Sequence, residues 1–342
     1  MKAAVFREHG PIDNLEIAEM PTPTPGPGEV LVRVRAVALN HLDLFTREGL
    51  PGLKLELPHI GGCDIAGEIE ALGVGVEGWH EGQHVVINPS LWCGRCEFCL
   101  AGEESLCVRF RILGEHVRGG AAQYVVVPAT NLFAIPDEYP FEQAAAAPLV
   151  FATAWRSLIT QGQLRAGQSV LILGAGGGVA TAAIQIAKLA GATVYAASRD
   201  EAKRRRAREL GADVVLDSNE DFGREIWTLT NKRGVDVVLE NVGAATWERS
   251  LRSVVKGGRV VVFGATSGPM VQIDLRQVFW KQYAIIGATM SNRREFNTVM
   301  RLIFWERKLQ PVVDRVLPLD QIREAHRILE AAEQFGKLVL VP

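Results

Sequence analysis

At 342 residues, with 48% hydrophobic and 22% charged side chains, the chain has material for more than one core, which points to two globular domains and away from a disordered or fibrous protein. A formal net charge of -2 gives no electrostatic reason to expect nucleic acid or an anionic membrane as partner, and leaves a small molecule as the expected ligand. The segment Met1–Glu8 has no apolar h-region. The longest apolar run, 170–187, is interrupted by Gly174, Gly176, Gly177, Gly178 and Gln185, so the sequence predicts a soluble, cytoplasmic chain without a membrane helix.

The first third reads as β-rich. After the turn Pro21–Gly28, Val30, Val32 and Val34 alternate with Leu31, Arg33 and Arg35 in the period-2 pattern of a half-buried strand. Glycines at 61, 62, 67, 73, 75, 78 and 82 then punctuate short apolar runs such as 64–71 and 84–87, as in a small barrel or sandwich. Cys93, Cys96, Cys99 and Cys107 follow within one short loop. Four thiolates satisfy tetrahedral zinc and leave no position for water or substrate, so the cluster predicts one structural zinc rather than a catalytic one.

Near residue 150 the pattern changes. Short β-branched runs at 169–173, 193–197, 213–216, 235–240, 259–263 and 283–287 alternate with helix-like segments such as 179–190, 201–210 and 244–255. That alternation means crossover units, a doubly wound parallel sheet and an α/β fold class. The stretch Val170–Ala180 is a buried strand, a glycine turn and an apolar helix. Gly176, Gly177, Gly178 and Val179 would bring backbone and helix N–H groups to a pyrophosphate. The next strand ends at Ser198-Arg199-Asp200, where an acidic residue would select NAD. Ser198 with Arg199 and Lys203 instead favours a 2′-phosphate, hence NADPH, and Asp200 lies where it would cap the helix that follows. Asn241, Gly264 and Thr266 fall on loops after later strands, where open parallel sheets bind their ligands. The apolar tail Lys337–Val341 reads as a strand able to rejoin the first domain. The segments 44–57 and 292–296 read as loops that shape the pocket.

With those features in place, the sequence resembles the medium-chain dehydrogenase/reductase superfamily, which includes zinc-containing alcohol dehydrogenases and quinone oxidoreductases. The resemblance rests on Pro25-Gly26-Pro27-Gly28-Glu29-Val30, Asn40-His41-Leu42-Asp43, Gly61-Gly62-Cys63-Asp64-Ile65-Ala66-Gly67, the four-cysteine lobe, Gly119–Tyr124, Pro148-Leu149, Thr153-Ala154 and Leu210–Asp213. It implies a GroES-like catalytic domain over 1–151 and 287–342, a Rossmann domain over 152–286, and a homodimer or homotetramer. It also implies that Thr153 contacts the nicotinamide.

The catalytic metal is where the chain departs from the family pattern. Alcohol dehydrogenases of this type place Cys, His and Cys where this sequence has Asn40, Cys63 and Phe151. Asn is a weak neutral donor and Phe has none, so a catalytic zinc is not expected. Asn40 matches the quinone-reductase branch, and Asn40, His41 and Asp43 are the expected catalytic residues: Asn40 to orient the nicotinamide or the acceptor oxygen, His41 and Asp43 to supply a proton and shape the site. The expected reaction is hydride transfer from NADPH to a quinone or an activated carbonyl or alkene. Two alternatives stand beside it: an alcohol or aldehyde dehydrogenase whose metal is held in an altered way by Cys63, Asp64 and His41, and a dinucleotide-binding module without turnover.

Overall fold

In the computed structural model, which describes residues 1–342, the chain divides into two compact units, Met1–Val150 with Ser291–Pro342, and Phe151–Met290. The sequence placed the upper edge at 286. Phe151 and residues 287–290 fall in the second unit, where Ala288 N donates to Val262 O across 2.9 Å and extends the sheet past its last strand. No helix is long and apolar enough to cross a membrane.

The first unit is built on a mainly antiparallel sheet whose strands run, in spatial order, Leu132–Ala134, His84–Ile87, Asp64–Leu72, Glu29–Ala38, Lys337–Val341 and Val313–Pro318. Tyr124–Pro128 also pairs with Glu29–Ala38, so Tyr124 occupies a strand start. Along Glu29–Ala38, Val30, Val32 and Val34 are buried and Arg33 and Arg35 are exposed, as expected of one wet face, whereas Leu31, expected on that face, and residues 36–38 are buried as well. Opposite Val34 stands Gly67, where a Cβ would lie 2.1 Å from Arg33 O, so only glycine allows the two backbones this approach. Lys337–Val341 runs antiparallel to Glu29–Ala38, with Val339 opposite Ala38, and thereby carries Lys337 into the middle of the unit.

Two segments expected as pocket loops are helical. His41–Glu48 is a helix, with Asp43 Oδ2 accepting Asn40 N at 2.8 Å. Asn292 caps the helix Arg293–Phe304 through a reciprocal pair: Asn292 Oδ1 accepts Glu295 N, and Glu295 Oε2 accepts Asn292 N, both at 2.8 Å. In each case a short acid three residues past an asparagine satisfies backbone groups that would otherwise be orphaned, which is why a polar stretch nucleates a helix there.

The second unit contains six parallel strands: β1 Ser169–Leu173, β2 Thr193–Ser198, β3 Val214–Asp217, β4 Val235–Glu240, β5 Val254–Val262 and β6 Ala284–Gly287. They lie in the order β3-β2-β1-β4-β5-β6. The helices include α1 Gly178–Leu189, α2 Glu201–Glu209, α3 Phe222–Leu229, α4 Trp247–Ser253 and α5 Leu275–Lys281. The helix expected over 244–255 is shorter because Gly243 has φ +87° and Val254 opens β5, pairing with Val235. Leu171, Val238, Val260, Phe222 and Ile226 are all fully buried between sheet and helices. Strand order reverses between β1 and β4, and this fixes where a crevice opens at the carboxyl ends of the strands.

Candidate active site

Within the first unit, the strand Asp64–Leu72 and the helix His41–Glu48 start at the same place and bring Asn40, Cys63 and Asp64 together. Lys337 reaches them from the C-terminal strand. Its Nζ donates to Asn40 Oδ1 at 2.5 Å and to Asp64 Oδ2 at 2.8 Å. Asn40 Nδ2 donates to Asp64 Oδ2 at 2.9 Å and to Cys63 Sγ at 3.3 Å, and Asp64 Oδ1 accepts Leu149 N at 2.7 Å. Asp64 is 0% and Lys337 3% exposed, so both charges depend on one another and on the amide between them. Burial, and then the carboxylates of Asp64 and Asp43, push the Cys63 thiol well above its usual range and keep it protonated.

Asp43 is equally enclosed. Its Oδ2 takes Asn40 N and its Oδ1 takes Gly62 N at 2.8 Å, so both oxygens hold backbone rather than face a ligand. Burial raises its pKa to about 6 against the lowering effect of those two N–H groups. The sequence reading missed Glu115. Its Oε2 is buried without a hydrogen-bond partner, and burial followed by the Asp43 charge raises its pKa to about 7. Nothing in a local pattern marks it, because one of the two causes, the Asp43 charge, lies far away in sequence. His41 is the first residue of its helix and half-buried.

The four lobe cysteines converge, with every Sγ within 4.8 Å of the others. Zinc at about 2.3 Å from each sulfur would set them roughly 3.8 Å apart. Cys96 and Cys99 sulfurs are 3.5 Å apart, Cys93 and Cys99 4.0 Å. Backbone N–H groups already point at the sulfurs: Cys93 N and Arg109 N each lie 3.3 Å from Cys107 Sγ. The N–H groups of Cys99 and then Val108 hold Cys96 down to about 6, whereas burial and the neighbouring sulfurs push Cys99 up to about 12. The residues fit one structural zinc, with Cys93, Cys96, Cys99 and Cys107 as its ligands.

In the second unit the glycine turn follows β1. Gly174 has φ +64°, and a Cβ on Gly176 would strike Lys203 Cδ at 2.4 Å, so the lysine stem lies across the turn. Gly177 precedes α1 without a side-chain cap, which leaves the N–H groups of Gly178 and Val179 directed at whatever anion binds. Asp200 caps α2 by accepting Lys203 N at 2.8 Å, as its position predicted. Ser198 is buried at the strand end and its Oγ accepts Asp200 N at 3.3 Å, while Arg199 is exposed beside it. Arg204 turns inward to Ser198 O and to Asp217, 2.9 Å from each.

Asn241, Gly264 and Thr266 are brought together, with Thr266 N donating to Asn241 O at 3.1 Å and a Cβ on Gly264 falling 3.2 Å from the same oxygen. Asn241 borders the turn, since a Cβ on Gly174 would lie 3.6 Å from its Nδ2. Glu240, unnoticed in the sequence, fixes this loop: fully buried, it accepts Val242 N, Gly243 N, Thr246 Oγ1 and Ser250 Oγ. Thr153 Oγ1 and Asn241 Oδ1 are buried without partners, the condition of groups that await a ligand. The turn, the uncapped helix and these two orphaned oxygens fit a dinucleotide.

Residues 26–137 match the alcohol dehydrogenase GroES-like domain, and residues 178–305 match the zinc-binding dehydrogenase domain. The chain is 31% identical to an acryloyl-coenzyme A reductase of Metallosphaera sedula over 341 residues, 99% of each chain. It is also similar to a crystal structure of an NAD-dependent alcohol dehydrogenase, at 46% identity and a TM-score of 0.96 over 100% of both chains. A crotonyl-CoA carboxylase/reductase in complex with NADP superposes with a TM-score of 0.92 at 26% identity, over 100% of this chain and 94% of that one.

Asp43 makes the stability of the first unit pH-dependent in a defined direction. Its folded pKa of about 6 lies above the ordinary 3.8, so the stability tied to its protonated form is complete below pH 3.8 and is lost as pH rises through 6. Asp43→Asn has no such titration. The unfolding free energy of wild type minus that of the variant should fall by on the order of 3 kcal/mol between acid and neutral pH in chemical denaturation. An unchanged difference would show that Asp43 titrates normally.

Proposed function

The chain belongs to the medium-chain dehydrogenase/reductase superfamily and is an NAD(P)-dependent oxidoreductase, and from that premise we propose that it reduces an electron-poor acceptor, a quinone or an alkene conjugated to a carbonyl, without a catalytic metal. The observation that carries the reading is the Lys337 ammonium held between Asn40 Oδ1 and Asp64 Oδ2. A divalent cation there would meet an amide oxygen and a carboxylate already neutralised by that ammonium, and a thiol that burial keeps protonated. A metal acting as Lewis acid lowers the pKa of a bound alcohol and so assists its oxidation, whereas a conjugated acceptor is reduced with positioning and hydrogen bonds to its oxygen. When bound, the nicotinamide supplies the hydride.

The chain's own residues do the rest. Thr153 and Asn241 offer the cofactor their unpartnered oxygens, and Gly176, Gly178 and Val179 offer it backbone N–H groups, whereas Gly177, expected to do the same, donates its N–H to Gly174 O at 2.8 Å and shapes the turn instead. Ser198, Arg199 and Lys203 favour the 2′-phosphate of NADPH, since Asp200 is spent on its helix cap. Asp43 is a positioning residue that holds the Asn40 and Gly62 backbone. His41 remains the candidate proton donor, and Glu115 is a second group able to hold a proton at neutral pH.

The rival reading, an alcohol dehydrogenase with an altered metal site, is favoured by the 46% identity to a structure of that name. Metal analysis beside turnover separates the two. We expect one zinc per chain, reduction of a quinone or enone that survives mild chelation, and no oxidation of simple alcohols. Two zincs with chelator-sensitive alcohol oxidation would establish the rival. For the cofactor, Arg199→Ala should weaken NADPH binding by about tenfold and leave NADH nearly unaffected. Equal losses would remove the 2′-phosphate assignment.

We also propose that the partner of the second unit is another copy of the chain. β6 ends its sheet with an unpaired edge, and beside it Leu275, Phe279 and Trp280 are 68%, 64% and 73% exposed. Sedimentation should show a multimer for the wild type and a monomer for Trp280→Lys with Ile285→Lys. A double variant that sediments like wild type would place any interface elsewhere.

A further inference from the structure

The parallel sheet carries a second concavity at the edge where its strands begin. A cavity of about 240 Å³ is walled by the segment 162–168 before β1, by Arg233–Val237 at the start of β4, and by Val255–Arg259 in β5. The glycine turn follows Leu173 at the other end of β1, four residue steps or about 13 Å away along the strand. The two sites are therefore separate.

Four cations line the cavity, Arg165, Arg233, Lys256 and Arg259, against a single carboxylate, Asp236. That carboxylate is spent. Its Oδ2 accepts Ser169 N at 2.8 Å and its Oδ1 accepts Arg233 Nη2 at 2.6 Å. Arg259 Nη2 donates to Gln163 Oε1 at 2.7 Å, and Gln163 has φ +50°, in the left-handed region that few non-glycine residues occupy. The side chains of Arg165 and Lys256 make no ion pair and are exposed at the cavity wall. Helix carboxyl ends face this edge of an α/β sheet and attract single cations. They give no reason for four cations from three segments to converge on one concave space with their only counter-charge already paired.

We propose that this cavity binds a phosphoryl anion, of the size of inorganic phosphate or pyrophosphate, independently of the dinucleotide site. Such a ligand has several oxygens for guanidinium forks and a charge that the unpaired Arg165 and Lys256 complete. The same chemistry is carried by free pyrophosphate and by the diphosphate of a nucleotide.

The test is calorimetric titration of the full chain, with NADPH saturating the glycine turn, by inorganic pyrophosphate and separately by ADP at fixed ionic strength. Binding of pyrophosphate should weaken at least about tenfold in Arg165→Glu with Lys256→Glu. Both residues are exposed, and unchanged NADPH affinity verifies the fold. ADP binding lost in the same variant identifies a nucleotide-borne diphosphate, and pyrophosphate binding without ADP binding identifies the free anion. Absence of pyrophosphate binding in the wild type, or equal affinity in the variant, overturns the proposal.

Discussion

A lysine ammonium enclosed in the first unit is the constraint on which its site depends. Lys337 is nearly as buried as the carboxylate it pairs with, and a lone charge there would cost several kcal/mol. Everything around it answers that cost. Asp64 supplies the counter-charge, Asn40 bridges the two with both ends of its amide, and Leu149 N donates to the remaining carboxylate oxygen. The start of the helix His41–Glu48 is fixed by the same group, because Asn40 is at once a member of the network and the residue before that helix. Removing one partner would leave the others buried and unmatched. The arrangement is therefore rigid, and it gives the first unit a fixed internal cation.

The second unit uses backbone where the first uses charge. Its turn owes its shape to Gly174 and its clearance to the absence of a Cβ at Gly176, while Glu240 anchors the Asn241 loop from below through four donors. Glu240 leaves Asn241 Oδ1 without a partner, so the polar capacity of the crevice is held in reserve for a ligand rather than consumed by the fold. The lobe of four cysteines follows a third logic. It has little apolar interior, and four sulfurs gathered by backbone N–H groups give a metal the task that a core performs elsewhere.

Much of this was legible in the sequence, for a physical reason: strand alternation, the glycine turn, the cysteine spacing and the Asp200 cap are local, and their meaning is contained in a few consecutive residues. What was illegible depends on distance. Lys337 meets Asn40 across 297 positions, and no pattern near either residue announces the contact. Glu115 acquires its raised pKa from burial and from Asp43, a residue distant in sequence. Asp43 reads as a catalytic acid from its motif, yet both oxygens hold backbone N–H groups. The helices at 41–48 and 293–304 are a different case. Asparagine followed three residues later by an acid is a start signal in each, and the polar character of the stretches hid it.

The strand that delivers Lys337 also fixes an order of events during synthesis. A chain emerging from the ribosome holds all of Phe151–Met290 before residues 291–342 exist, so the parallel sheet can close from contacts within one contiguous segment. The first unit has no such freedom: the end of the strand Glu29–Ala38 at Val37 and Ala38 waits for Lys337–Val341, and Asp64 waits without its counter-ion. Closing a loop of nearly the whole chain adds little free energy beyond a shorter one, because the cost grows only logarithmically with length, but the closure comes last in time. The parallel sheet is thus available to a nascent chain well before the first unit has acquired its buried ammonium.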